Sequence, residues 1–486
     1  MTGRRVGFLV CFAGLLGALA RVSVAAVSVP DVIGPITGPG GAFVASTSFD
    51  VATLGYVEEE YFLAGTATSY LNDGPLGADG HWAVTPGTTA AYETRILVRR
   101  PADAAKFNGT VVIEWLNVSG GLDAAPDWIF GHTALMREGF AWVGVSAQRV
   151  GVEGGGGGIP GLNLWLKAVN PARYGVLHHP GDSFSYDMFS QVAAALRSGS
   201  PRPLGPLTPL RLLAAGESQS AFRLVTYVNA IEPLDRPYDG IFIHSRGTGG
   251  AALSEAPQTP VAVPTPGVIR DDVPVPVLTF ETETDLITLG FRPARQPDGR
   301  NIRLWEVAGS AHGDRYQLSS GMTDVGPAAF DMTYLPPTAS PIAGIITCGS
   351  PVNQGPEQYV VNAALIALDR WVRGGRAPRR MPRLLLNAAG AYLTDELGNV
   401  RGGIRTPQLD VPVAKYSGLG QTGGSFCGLF GTTVPLDGAD LAFLYGSHDN
   451  YVAKIGRAAK RAVRRGVILP LDAQAIVAAA VASSVP

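Results

Sequence analysis

Charge is scarce in this sequence. Asp, Glu, Lys and Arg make up 16% of its 486 residues, and 38 basic side chains against 40 acidic ones leave a formal charge of −2. Nucleic-acid binders usually carry a basic excess, so nucleic acid is excluded as an expected partner. Cysteine is scarcer, with only Cys11, Cys348 and Cys427. These are too far apart to clip a metal, and no His-Glu-x-x-His run occurs, so neither metal nor other cofactor is expected. Beyond the N-terminus no apolar run is long enough to span a bilayer. The Gly-rich stretch 151–161 lacks the Gly-Lys-Ser/Thr ending of a phosphate loop and reads as a flexible loop. Apolar residues, at 46%, are abundant enough for a sizeable core, while 62 Gly and 37 Pro imply long ordered loops.

The N-terminus reads as a secretory signal. Arg4 and Arg5 precede an apolar run over 6–20, and Ser23-Val24-Ala25 offers small residues for cleavage. The arginine pair also matches a twin-arginine route weakly. Residues 1–25 are thus expected to be removed, and the protein to be secreted or periplasmic. Residues 26–54 read as an irregular lead-in, 55–375 as the core, and 376–486 as a C-terminal extension packed on it. In an oxidising compartment Cys348 and Cys427 are expected to pair; the alternative is two buried thiols.

Short apolar segments follow one another at 55–66, 92–99, 110–116, 140–146, 210–215, 240–244, 275–280 and 302–307. The second alternates, with Thr94, Ile96 and Val98 on one face and Glu93, Arg95 and Arg99 on the other, as in a half-exposed edge strand. The later ones are rich in Val, Ile and Leu and spaced widely enough for intervening helices. That pattern predicts an α/β fold: a mostly parallel eight-stranded sheet covered by helices on both faces. An amphipathic helix is expected at 357–373, ended by Gly374-Gly375. A basic helix at 451–465 and a short apolar one at 473–481 follow. The Gly/Pro/Ala-rich segment 246–272 is a candidate small lid.

The run Leu210-Arg-Leu-Leu-Ala-Ala-Gly-Glu-Ser-Gln-Ser-Ala-Phe222 begins as strand and resumes as helix, with Ser218 between small residues at 216 and 220. A strand-to-helix turn that sharp pushes the serine oxygen into the open. A serine hydroxyl needs a histidine base, and the histidine needs a carboxylate to fix its tautomer. The strand at 275–280 leads into Glu281-Thr-Glu-Thr-Asp285, and that at 302–307 into Ala308-Gly-Ser-Ala-His312. Of seven histidines, only His312 follows a strand after the acid; His244 ends a strand and is a candidate for the pocket wall. Glu281, Glu283 and Asp285 all follow one strand, and Asp285, where the turn enters the next helix, is the expected acid. Ser425 lacks a preceding strand. The N–H of Gln219 and the loop Asn117-Val118-Ser-Gly-Gly121 are the expected oxyanion donors.

These segments, together with Trp115-Leu-Asn-Val-Ser-Gly-Gly121, Val275-Pro-Val-Leu278 and Gly402-Gly-Ile-Arg-Thr-Pro407, resemble an α/β-hydrolase domain-containing family of mostly bacterial, often exported serine hydrolases. The resemblance runs from about residue 55 to the C-terminus. It implies the α/β-hydrolase fold and a serine hydrolase with Ser218, Asp285 and His312 as its triad, acting on a small-molecule ester. An amidase or peptidase on the same triad, and a non-catalytic binding protein of this fold, are the rival readings.

Overall fold

The computed structural model describes residues 3, 27–158, 163–198, 202–424 and 426–486. The expected signal segment, Cys11, Ser425 and the end of the Gly-rich loop lie outside them, Gly3 of the signal excepted. Among these residues nine strands form the main sheet. They are β1 (Asp31–Ile33), β2 (Tyr56–Asn72), β3 (Val84–Pro101), β4 (Thr110–Trp115), β5 (Ala141–Val145), β6 (Arg211–Glu217), β7 (Gly240–His244), β8 (Val277–Glu281) and β9 (Ile302–Glu306). Their order is β1-β2-β3-β5-β4-β6-β7-β8-β9. The segment from β5 to β9 is parallel throughout, while β1, β2 and β3 are antiparallel.

The parallel strands are buried along their length, as continuous apolar runs with helices on both sides must be. Alternate residues serve opposite faces. Val111, Ile113, Leu212, Ala214, Ile241 and Ile243 pack toward α2 (Ser185–Ser198) and α3 (Gln219–Thr226). Val112, Leu213, Ala215, Phe242, Leu278 and Trp305 pack on the opposite face. There α1 (Pro126–Arg137) and α5 (Glu357–Gly374) lie on the strands, and α6 (His448–Arg465) and α7 (Pro470–Ala482) extend the same apolar cluster. Each large side chain so buried contributes about 1.5–3 kcal/mol. Among the described residues no helix is long and apolar enough to cross a membrane.

Two expectations are corrected. The lead-in is not wholly irregular, since β1 adds a ninth strand by pairing with β2. It is held by buried arginines: Arg173 donates to the carbonyls of Ile36, Gly38 and Gly40, and Arg95 to that of Phe43. The segment around Glu93, Arg95 and Arg99 is no edge. β3 lies between β2 and β5, and Arg95 and Arg99 are buried because Asp123 (2.6 Å) and Glu58 (2.7 Å) pair with them. Polar alternation thus marked buried ion pairs rather than a solvated face.

The extension returns to the sheet. Ile404 bridges Val307 just past β9, and β10 (Ala414–Ser417) pairs with β11 (Thr432–Pro435). A disulfide joins Cys348 to Cys427 across 79 positions. It lies among Val352, Phe430, Leu318, Ile346, Phe426 and Leu429. Chain entropy puts its contribution at up to about 4.5 kcal/mol. Protein denatured without reductant is expected to titrate no free thiol, and Cys348→Ser to lower the denaturation midpoint; two free thiols in the mature protein would rule the bond out.

Candidate active site

β4, β6, β7, β8 and β9 all end on one side of the sheet, where ligands bind in open parallel sheets. Ser218 follows β6 directly. Its backbone stands at φ 58°, ψ −120°, a left-handed region uncommon for a residue with a Cβ. Strain of this kind costs roughly 1–3 kcal/mol and persists only where neighbours enforce it. Here the Ser218 N–H donates to His244 O at 2.9 Å. The turn is tight enough that a Cβ on Gly216 would lie 3.1 Å from that of Ser220. The two small positions therefore face each other, and serine suffices at 220 because 216 has no side chain.

His312 lies in the turn after β9. Its Nε2 is 2.7 Å from Ser218 Oγ, and its Nδ1 is 2.7 Å from Asp285 Oδ1. Gly309 opens that turn at φ 74°, and a Cβ there would meet Leu409 at 2.6 Å. Asp285 belongs to the short helix α4, Glu283–Ile287. Its other oxygen accepts from Thr282 N (2.6 Å) and Thr282 Oγ1 (2.7 Å), a reciprocal cap that fixes the carboxylate. Thr282-Glu-Thr-Asp285 is a capping-box pattern, so this anchoring could have been found in the sequence. Burial opposes ionisation of Asp285, but the His312 charge and hydrogen bond outweigh it and hold its pKa below the usual carboxylate range. Burial likewise pulls His312 down, and Asp285 and Glu217 more than reverse it, leaving its pKa raised.

The two rival acids stand elsewhere. Glu281 is within β8 and buried, with a pKa pushed far up chiefly by burial. Glu283 turns away from His312: its oxygens accept from Gly309 N (2.6 Å) and Gly418 N (2.9 Å), tying the histidine turn to the extension. Burial raises its pKa to about 7.

Gln219 is the first residue of α3, so its N–H has no partner within the helix. In the loop after β4 the two candidates differ. The Asn117 N–H already donates to Ala124 O at 2.9 Å, whereas that of Val118 donates to nothing among the described residues. Gly121 packs backbone to backbone on Gly157 and Gly158, which explains the glycines on both sides.

Ser218 and His312 open into a cavity of about 220 Å³. Ile129, Leu318, Met322, Ile342, Leu429 and Phe430 supply its apolar walls, and Ala45 of the lead-in closes part of it. Among the described lining residues only His312 and Glu217 are ionisable. Segment 246–272 contributes none of this wall; the cover comes from 313–346 and from the turn held by Cys427. His244 is not a wall residue either. It is fully buried beneath the site, with Nδ1 2.8 Å from Asp127 and Nε2 3.2 Å from Glu357. Sequence reasoning missed these walls, because they come from segments without regular pattern.

A parallel sheet of this strand order, with a serine on a strained strand-to-helix turn and a histidine after the last strand, is the α/β-hydrolase class. A family model described as an alpha/beta hydrolase domain matches residues 31–478, and the chain belongs to that family. No curated protein matches it. Solved structures to which it is similar include a lidless serine hydrolase from Xanthomonas campestris, at 14% identity over 51% of this chain and 86% of that one, TM-score 0.28. Another is a glucuronoyl esterase from Solibacter usitatus, at 11% identity over 52% and 76%, TM-score 0.27.

Asp285→Asn is expected to lower turnover by about four orders of magnitude with folding intact, as loss of an orienting carboxylate does in a related triad. Glu283→Gln should change it only about tenfold, since that side chain acts through the turn. Steady-state kinetics on both variants check this, and the reverse ranking would give Glu283 the role.

Proposed function

We propose that this protein is a serine hydrolase that cleaves carboxylic esters of small, uncharged acyl groups through an acyl-enzyme. One observation carries the reading: Ser218 Oγ, His312 and Asp285 form a chain of two 2.7 Å contacts at the edge of an apolar cavity. Asp285 fixes the Nδ1–H tautomer, so Nε2 has its lone pair toward Ser218. As Oγ bonds to the acyl carbon, its proton passes to Nε2 and the carbonyl electron pair moves onto oxygen. The N–H groups of Gln219 and Val118 then face that oxyanion. The tetrahedral adduct collapses, the proton on Nε2 goes to the leaving alkoxide, and an alcohol departs. Water repeats the sequence on the acyl-enzyme and releases the acid.

The cavity holds on the order of seven water volumes, which fits a short acyl chain. Among the described residues its walls offer no free strand edge for an extended peptide, which favours ester over peptide substrates. The disulfide supports export, with residues 1–25 leaving as a signal and the rest acting as one unit.

A fluorophosphonate probe is expected to label Ser218 alone, and Ser218→Ala to abolish both labelling and ester hydrolysis. Persistent labelling of that variant sinks the assignment. Across p-nitrophenyl esters, butyrate should exceed laurate in kcat/KM by at least about tenfold.

A further inference from the structure

The mechanism uses the carboxylate on one side of His312 and leaves another unused. Glu217, the residue before the nucleophile, is 3% exposed and lines the same cavity. Its Oε1 lies 3.5 Å from His312 Nε2, the nitrogen that faces Ser218 Oγ. Its Oε2 accepts from Asn117 Nδ2 at 3.3 Å, and the same amide donates to the Glu217 backbone carbonyl at 3.1 Å. A buried carboxylate with one neutral partner is poor at stabilising a fold, because its lost hydration is not recovered. A neutral amide in its place would latch Asn117 equally well. The charge calls for another reason, and the atom opposite supplies one.

We propose that Glu217 is a charge-compensating group of the serine site, holding the His312 imidazolium from the Nε2 side while Asp285 holds it from Nδ1. The inference rests on the serine-hydrolase reading above. When the Ser218 proton arrives on Nε2, the ring gains one positive charge. Glu217 neither takes nor gives that proton; its charge favours the ring's charged form by proximity, both side chains being buried. The same charge favours an imidazolium in the resting enzyme, so its effect is also legible in the pH profile.

The ionisable groups around Glu217 come from four elements: His312 after β9, His244 at the end of β7, Asp127 of α1, and Asp285 after β8. Burial raises the Glu217 pKa to about 7; the two histidines work against that rise, and the two aspartates add to it. His312 is itself raised. At 3.5 Å each group's charge bears on the other's titration. Full activity needs His312 neutral, to accept the serine proton, and Glu217 ionised. As pH falls, kcat/KM is expected to drop more steeply than loss of one group allows.

Glu217→Gln has nearly the same shape and keeps an oxygen for Asn117. Its plateau kcat/KM is expected to fall roughly 10- to 100-fold, equivalent to one to two pKa units of lost charge stabilisation. Its acid limb should become a one-proton limb with its midpoint about one pH unit lower, because a negative neighbour of His312 is gone. A merely structural role would lower the plateau without moving the limb. An unmoved limb in a variant that still labels at Ser218 overturns the role of Glu217 alone. Labelling that survives Ser218→Ala overturns the serine reading and this inference with it. Should Glu217→Gln not fold, the wild-type protein with 15N-histidine gives the same answer. His312 Nε2 is expected to titrate in two steps, and a single step refutes the proposal.

Discussion

The backbone of Ser218 is the constraint on which the rest of this structure depends. A residue with a Cβ is held in a left-handed conformation because β6 must end and α3 must begin within one residue. Neighbours on every side enforce it: His244 O takes the Ser218 N–H, and Gly216 leaves room for Ser220. The strain is local, and it places a hydroxyl where no ordinary turn would. Everything else at the site is arranged around that hydroxyl's position, from the His312 turn to the loop that starts at Asn117.

Around it the chain distributes buried carboxylates with different tasks. Asp285 faces His312, which holds its pKa below the usual carboxylate range, and is locked by Thr282. Glu283 is a bracket between two backbone turns. Glu114, from the middle of the sheet, accepts the first N–H groups of α1 from Asp127 and Trp128 at 2.9 Å each, giving that helix the cap its own sequence lacks. Burial lifts most of these groups toward the neutral form, and specific partners decide which stay charged. Carboxylates two residues apart can therefore face an imidazole or hold a loop.

The walls of the cavity draw on segments far apart in the chain. Ala45 belongs to the lead-in, tied down by buried arginines, and Phe430 to a turn clamped by the disulfide. The strands, the most regular parts of the molecule, thus fix where the turns bearing Ser218, Asp285 and His312 stand. The irregular parts set the size and polarity of what can enter.

The sequence by itself determined the local and periodic features. The run before Ser218 identified a strand-to-helix turn, and eight apolar segments at helix-wide spacing identified a parallel sheet. Chain order alone brought Ser218, Asp285 and His312 forward as a set, because strand ends on one edge of such a sheet converge whatever their loops contain. Residue type and position left Glu283 in contention, since three acids followed one strand. Only the tertiary structure decided that Glu283 faces backbone N–H groups. It also decided that Arg95 and Arg99 are buried among acids, that Asn117's N–H is already engaged, and that Glu217 stands opposite His312. Each of these turns on a partner far away in the chain, and such pairings leave no periodicity behind. A side chain's neighbours follow from the packing of distant segments, whereas its preference for strand, turn or helix is written within a few residues of itself.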